Sequence, residues 1–160
     1  MSNDSSNSFP VRSRPVHHPV LESGQRSVIV FLTICTANRR PILATAAMHA
    51  HLHQSWLKAM NWLVGRYVIM PDHIHLFCAP GTNPTESLKS WVAYWKRLAA
   101  LASGSSSFWQ RNFWDTQLRH HESYAAKWDY VRQNPVRAGL VTRPEDWPWQ
   151  GELNVLRWHD

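Results

Sequence analysis

The stretch "MPDHIHLF", Met70 to Phe77, sets His73 and His75 two residues apart inside an apolar run. Alternate residues of a strand share a face. Both imidazoles therefore project together on a strand, while Ile74 and Leu76 pack on the opposite side. Two imidazoles on one face can hold one divalent cation, or they can be ordinary surface or core histidines. A metal site needs a third ligand, and no HExxH or cysteine cluster supplies one. A second stretch, "KWDYVRQNPVRAGLV", places Tyr130 and Asn134 four residues apart, on one face of a helix. A phenol and a carboxamide aimed the same way can serve one site. The alternative is a packed tyrosine and an asparagine that stops the helix. Asp72, just before the histidine pair, can orient an imidazole from behind or cap the turn.

Other candidates are weaker. Tyr94 has Trp91, Trp95 and Leu98 as helix neighbours and is expected to pack; Tyr67 is expected in strand core. Tyr124 lies six residues before Tyr130, so it points elsewhere on the helical period. His49, His51 and His53 alternate, but on a helix such residues diverge and do not form one ligand set.

The elements that must position these groups are legible in outline. "SVIVFLTICTA" (Ser27 to Ala37) is β-branched and aromatic, a buried strand ending at "NRRP". Apolar residues at helical spacing predict a helix over Ala44 to Trp62. "RYVIM" and "HIHLFCA" are strands joined by a tight "PD" break, which favours an antiparallel pair. Asn83, Pro84 and Glu86 have the types of a helix start, and that helix runs to about Ala102. "FWQRNFWDTQLRH" gives a loop and a strand, and "ESYAAKWDYVRQN" a last helix closed by Asn134-Pro135. The order predicts an α+β fold, an antiparallel sheet sandwiched by helices. Residues 1–26, rich in Ser, Pro, Arg and His, are expected to form a flexible basic arm; 27–150 the domain; and 151–160 a tail.

The chain has 160 residues, 44% hydrophobic and 18% charged, consistent with one globular domain. Its net charge of +6 points to a polyanionic partner, nucleic acid first. Ten tryptophans beside that charge suit base stacking, although most are expected to fill core. Cys35 and Cys78 fall in apolar strands and are expected to be buried thiols. No run approaches a membrane span and the first ten residues lack a signal-peptide pattern, so a cytoplasmic setting is expected.

Several blocks, in order, are similar to one family: "VIVFLTICTANRRPIL", "YVIMPDHIHLF", "SLKSWVAYWKRLA", "FWQRNFWDTQLR", "YVRQNPVRAGLV" and "DWPW". Over roughly residues 28–149 the chain resembles the REP-associated tyrosine transposases, relatives of the single-strand insertion-sequence transposases of the HUH nuclease superfamily. The resemblance implies a ferredoxin-like (RRM-like) HUH fold and a bacterial, chromosome-associated protein. It implies His73 and His75 as metal ligands, Asn134 as the third, and Tyr130 as nucleophile. It also implies Mg²⁺ or Mn²⁺, although imidazole by itself suits zinc better than magnesium. Tyrosine is a poor nucleophile at neutral pH, its ordinary pKa being about 10, so Lys127, Arg132 or the metal would favour the phenolate. Attack would leave a 5′-phosphotyrosine and a free 3′-hydroxyl, conserving the phosphodiester for rejoining. No Walker loop or DDE-like carboxylate set is present, in agreement.

The expected substrate is single-stranded or hairpin DNA, handled by a monomer or a homodimer. Lys89, Lys96, Arg97, Arg111, Arg119, Lys127, Arg132 and Arg137 are candidate phosphate contacts, or solvated cations one by one. Trp109 and Trp114 are candidates for stacking on unpaired bases, with core packing the alternative. A hairpin-binding protein of the same fold that no longer cleaves is the second reading. A zinc hydrolase of small substrates is a third, and it leaves the basic charge unexplained.

Overall fold

The strand-forming run "VFLTIC" makes β1 (Val30–Cys35), followed by a 3₁₀ turn at Ala37–Arg39. A computed structural model describes residues 28–81, 86–119 and 122–158. The basic arm and the proposed cap at Asn83 and Pro84 lie outside the described residues. Helix α1 (Ala46–Lys58) is capped by the Thr45 side chain. Then come β2 (Trp62–Ile69), β3 (His73–Pro80), α2 (Leu88–Ala102), β4 (Trp114–Gln117), α3 (Tyr124–Val131), α4 (Asn134–Arg137) and β5 (Gln150–Glu152). The five strands form one antiparallel sheet in the order β4-β1-β3-β2-β5, so the histidine strand is central. The α+β expectation, with helices on both faces of an antiparallel sheet, holds.

Strand alternation divides the core. Ile74, Leu76 and Cys78 of β3 face α1 and α2, buried with Leu52, Trp56, Trp91 and Trp95. Phe77 faces the other way, buried with Val68, Tyr124 and Val131 under α3. His73 and His75 share that second face. Most tryptophans are core, and several indoles donate to carbonyls, as Trp91 does to Ala59 O at 2.7 Å and Trp147 to Ile69 O at 3.0 Å. Cys35 and Cys78 are buried free thiols.

Four boundaries differ from expectation. Helix α1 ends at Lys58, and Trp62 opens β2 instead of closing the helix. Glu86 lies ahead of α2, whose N-cap is Ser87, accepting from the Ser90 amide. The last helix breaks after Val131: Pro135 has no N–H to offer the Val131 carbonyl, and Asn134 opens α4 instead of ending the chain's helix. Residues 151–160, expected as a tail, supply two of the three residues of β5 (Gln150–Glu152) and the buried Leu156.

Docking of α3 depends on a small residue in β2. The pairing with β3 shifts register between Val64 and Tyr67. At Gly65 an added Cβ would lie 2.7 Å from the Tyr124 hydroxyl and 2.5 Å from Leu156 Cδ1. That hydroxyl accepts from the Arg66 amide at 3.0 Å, tying the start of α3 to the sheet. The Tyr124 ring packs edge-on against Phe77, with centroids 5.0 Å apart.

Candidate active site

Opposite β3, β1 contributes Thr33 directly across from His75 and Cys35 across from His73. Thr33 Oγ1 lies 3.0 Å from His75 Nδ1, and Phe31 stacks on the same imidazole at 5.4 Å. Asp72 Oδ1 lies 2.7 Å from His73 Nδ1, and its other oxygen accepts from Arg39 Nε at 2.9 Å. Each histidine thus has its Nδ1 engaged from behind, which directs Nε2 outward and fixes the ring. The rings are edge-on to each other, with centroids 4.7 Å apart. Asn38 and Arg39 both sit at positive φ (55° and 52°), so the chain is held in a strained turn that presents the guanidinium to Asp72.

Helices α3 and α4 roof this face. A groove of about 680 Å³ is lined from the sheet by Phe31, His75 and Thr116, and from the roof by Lys127, Tyr130, Asn134 and Arg137 among others. Tyr130 is 67% exposed while lining the groove. Arg137 lies over the Tyr130 ring, 4.3 Å from its centroid, and donates from Nη2 to Asn134 Oδ1 at 2.8 Å. One guanidinium therefore touches both roof residues singled out by the sequence. Lys127 faces Glu122 at 3.9 Å and Arg132 faces Glu145 at 3.5 Å, so these two cations are partly balanced.

The electrostatics favour ligand-ready histidines. Burial, then the charges of neighbouring His73, Arg137 and Arg39, lowers the pKa of His75 to about 3. Burial also lowers that of His73, opposed by its bond to Asp72. Both imidazoles are neutral at pH 7, the form that coordinates a metal. Among the described residues no set of three His, Cys, Asp or Glu could hold an ion. A third protein ligand would have to be of another type, and the Asn134 carboxamide shares the groove with His75. Two imidazole nitrogens and an amide oxygen are a donor set that fits a divalent cation.

Several sequence expectations land elsewhere. Trp109 is 7% exposed, its Nε1 donating to Lys96 O at 3.0 Å, so it is core and not a free stacking platform. Lys96 is 8% exposed and its ammonium donates to Gln110 O at 2.7 Å, so it is not on a solvated face. Tyr94, expected to pack, is instead 36% exposed, with Arg97 near its ring at 5.7 Å. Lys89, Lys96 and Arg97 ride on α2, which packs against the sheet face away from the groove. Arg111 and Arg119 are exposed and line no part of it. Thr33 and Arg39 escaped the sequence reading. Thr33 carried a usable signal, since it shares strand parity with Phe31 and Cys35, whereas the reach of Arg39 to Asp72 did not.

Curated relatives agree with the motifs. A protein of Escherichia coli K12 named REP-associated tyrosine transposase is 27% identical over 122 residues, covering 74% of this chain and 73% of the relative. This chain is similar to the REP-associated tyrosine transposases. A Haemophilus influenzae protein provisionally given that name is 30% identical over 96 residues, covering 51% of this chain and 53% of its own length. A solved structure of a REP-associated tyrosine transposase bound to a REP hairpin superposes with a TM-score of 0.70 at 24% identity, over 84% of this chain and 80% of that one. At that identity the likeness establishes the fold. No protein-family profile matches the chain. Among the described residues, no helix is long and apolar enough to cross a membrane.

Proposed function

We propose that this chain is a transposase-like, metal-dependent endonuclease and strand transferase acting on single-stranded DNA at REP-like hairpins, with Tyr130 as nucleophile. The supporting observation is the single groove lined by His75, Tyr130, Asn134 and Arg137, with His73 edge-on to His75. The similarity to REP-associated tyrosine transposases, one of them solved with a REP hairpin, supports the choice of DNA.

His73 and His75 would hold a divalent cation through Nε2, with Asn134 as third ligand once its oxygen leaves Arg137. Such a cation supplies Lewis-acid polarisation of the scissile phosphate. The chain's own residues do the rest. Asp72 and Thr33 hold the two imidazoles in register. The Tyr130 phenolate oxygen attacks phosphorus, the P–O3′ bond breaks, and the 3′-oxygen leaves to take a proton from solvent. Arg137 and Lys127 place positive charge beside the phosphate as its negative charge redistributes. A returning 3′-hydroxyl reverses the exchange and frees the tyrosine, so no other energy source enters.

The test uses labelled single-stranded hairpin DNA with Mn²⁺ or Mg²⁺, followed on a denaturing gel. Cleavage with a protein-linked product is expected for the wild type, and neither for Tyr130→Phe or without metal. Cleavage by Tyr130→Phe at the wild-type rate refutes the proposal. Hairpin binding that survives His73→Ala, with no cleavage under any metal, assigns the non-cleaving reading instead.

A further inference from the structure

A second cavity, about 320 Å³, lies beside α2 and is lined by Lys96, Arg97, Ser106, Ser107, Gln110 and Arg111 among others, with no carboxylate in its wall. We propose that it is a seat for one backbone phosphate of the single-stranded DNA that flanks the cleavage point, separate from the groove holding Tyr130. This rests on the DNA-processing reading above and names a contact that reading does not contain.

The chemistry of the wall selects an anion. Arg97 and Arg111 are exposed, and among the described residues no ion pair engages either of them or Lys96. The Lys96 ammonium spends one of its three N–H donors on Gln110 O, leaving two for a group in the cavity it lines. Burial lowers its pKa to about 8, as expected of a cation without an anionic partner. Two guanidiniums, an ammonium and two serine hydroxyls around one small cavity match the oxygens of a phosphodiester. The serines come from "SGSSS", where Gly104 at φ +81° turns the chain after α2 and small side chains leave the mouth open.

The place of the cavity selects a polymer over a free ion. The Gln110 amide donates to Cys35 O at 2.9 Å, and Cys35 pairs across the sheet with His73. Arg39 Nη1 reaches Cys35 Sγ at 3.5 Å while its Nε holds Asp72. Lys96, Gln110, Cys35 and Arg39 thus link the cavity to the histidine pair around the end of β1. A chain seated at both points spans two faces of the sheet and is fixed in register by phosphates alone.

The experiment measures hairpin DNA carrying single-stranded extensions, by anisotropy over a salt series, with the full chain and with the Arg97→Gln/Arg111→Gln double variant. Both positions are exposed, so the fold is retained. Losing one single-strand phosphate contact lowers the slope of log K against log salt by roughly 0.7. One methylphosphonate, moved along the extension, is expected to weaken the wild type several-fold at a single position and to leave the double variant unaffected there. Equal slopes and equal methylphosphonate profiles overturn the seat while the function stands. A wild type that binds no DNA at any salt overturns both. Inorganic phosphate titrated alone, saturating Arg97 and Arg111 by NMR without competing with DNA, reassigns the cavity to a free anion and also overturns the proposal.

Discussion

Substituting Gly65 by alanine tests how the roof of the groove is held. The new methyl group would lie 2.7 Å from the Tyr124 hydroxyl and 2.5 Å from Leu156 Cδ1, both inside van der Waals contact. Leu156 is the far end of a flexible side chain and can turn aside cheaply. Tyr124 cannot: its ring is clamped by Phe77 and its hydroxyl accepts from the Arg66 amide. Overpacking of this kind costs about 1–3 kcal/mol, and a buried amide left without its acceptor costs about 1–3 kcal/mol more. Some of the two costs is shared, so about 2–4 kcal/mol is expected. For a chain of this size that lowers the melting temperature by roughly 5–15 °C. Because α3 carries both Tyr124 and Tyr130, covalent-adduct formation should fall below what the folded fraction explains. The assay is thermal and denaturant unfolding, with adduct yield measured well below the transition. Tyr124→Phe, which keeps the ring and removes the hydroxyl, separates the hydrogen bond from the clash. A Gly65→Ala protein as stable as wild type, with its Arg66 amide unshifted by NMR, refutes the reasoning.

Arg39→Met should free Asp72 and loosen His73, weakening Mn²⁺ binding about 10–100-fold by calorimetry, as losses behind a metal ligand do. Unchanged Mn²⁺ affinity would remove Arg39 from the site. Lys96 predicts a pH signature. Its folded pKa is lowered to about 8 from 10.5, so between those values the unfolded chain holds the extra proton and stability rises with pH. Denaturant curves at pH 7.5 and 10 should therefore show the wild type gaining on Lys96→Met, and a constant difference would contradict the assignment. Tyr124 acts in the opposite sense. Burial pushes its pKa up to about 12, so its contribution is present below pH 10 and lost as pH rises through 12. Tyr124→Phe should flatten that alkaline decline, and an equally steep decline in both proteins would refute it.

What the sequence disclosed follows from the range of the forces involved. The facing of His73, His75 and Ile74 is a matter of strand parity, which neighbouring residues decide, and it was legible. So was the nearness of Tyr130 and Asn134, but not the break before Pro135: proline suits the first turn of a new helix as well as it ends an old one. The apolar spacing of Trp62 fits either element, and its partners Pro80 and Glu86 O come from distant chain. Lys96 and Trp109 looked like surface cations and stacking rings because only tertiary packing buries the lysine stem and gives the indole an acceptor. Arg39 reaches Asp72 across 33 residues by a turn at positive φ, which nothing local announces.

The central claim is that Tyr130 attacks DNA beside the two histidines. The most direct measurement isolates protein treated with hairpin DNA and Mn²⁺, digests both components, and maps the residual nucleotide by mass spectrometry. The account predicts a 5′-linked nucleotide on Tyr130 in the wild type and none in His75→Ala. A nucleotide on Tyr94 or any other residue, or an undiminished adduct without His75, would contradict it.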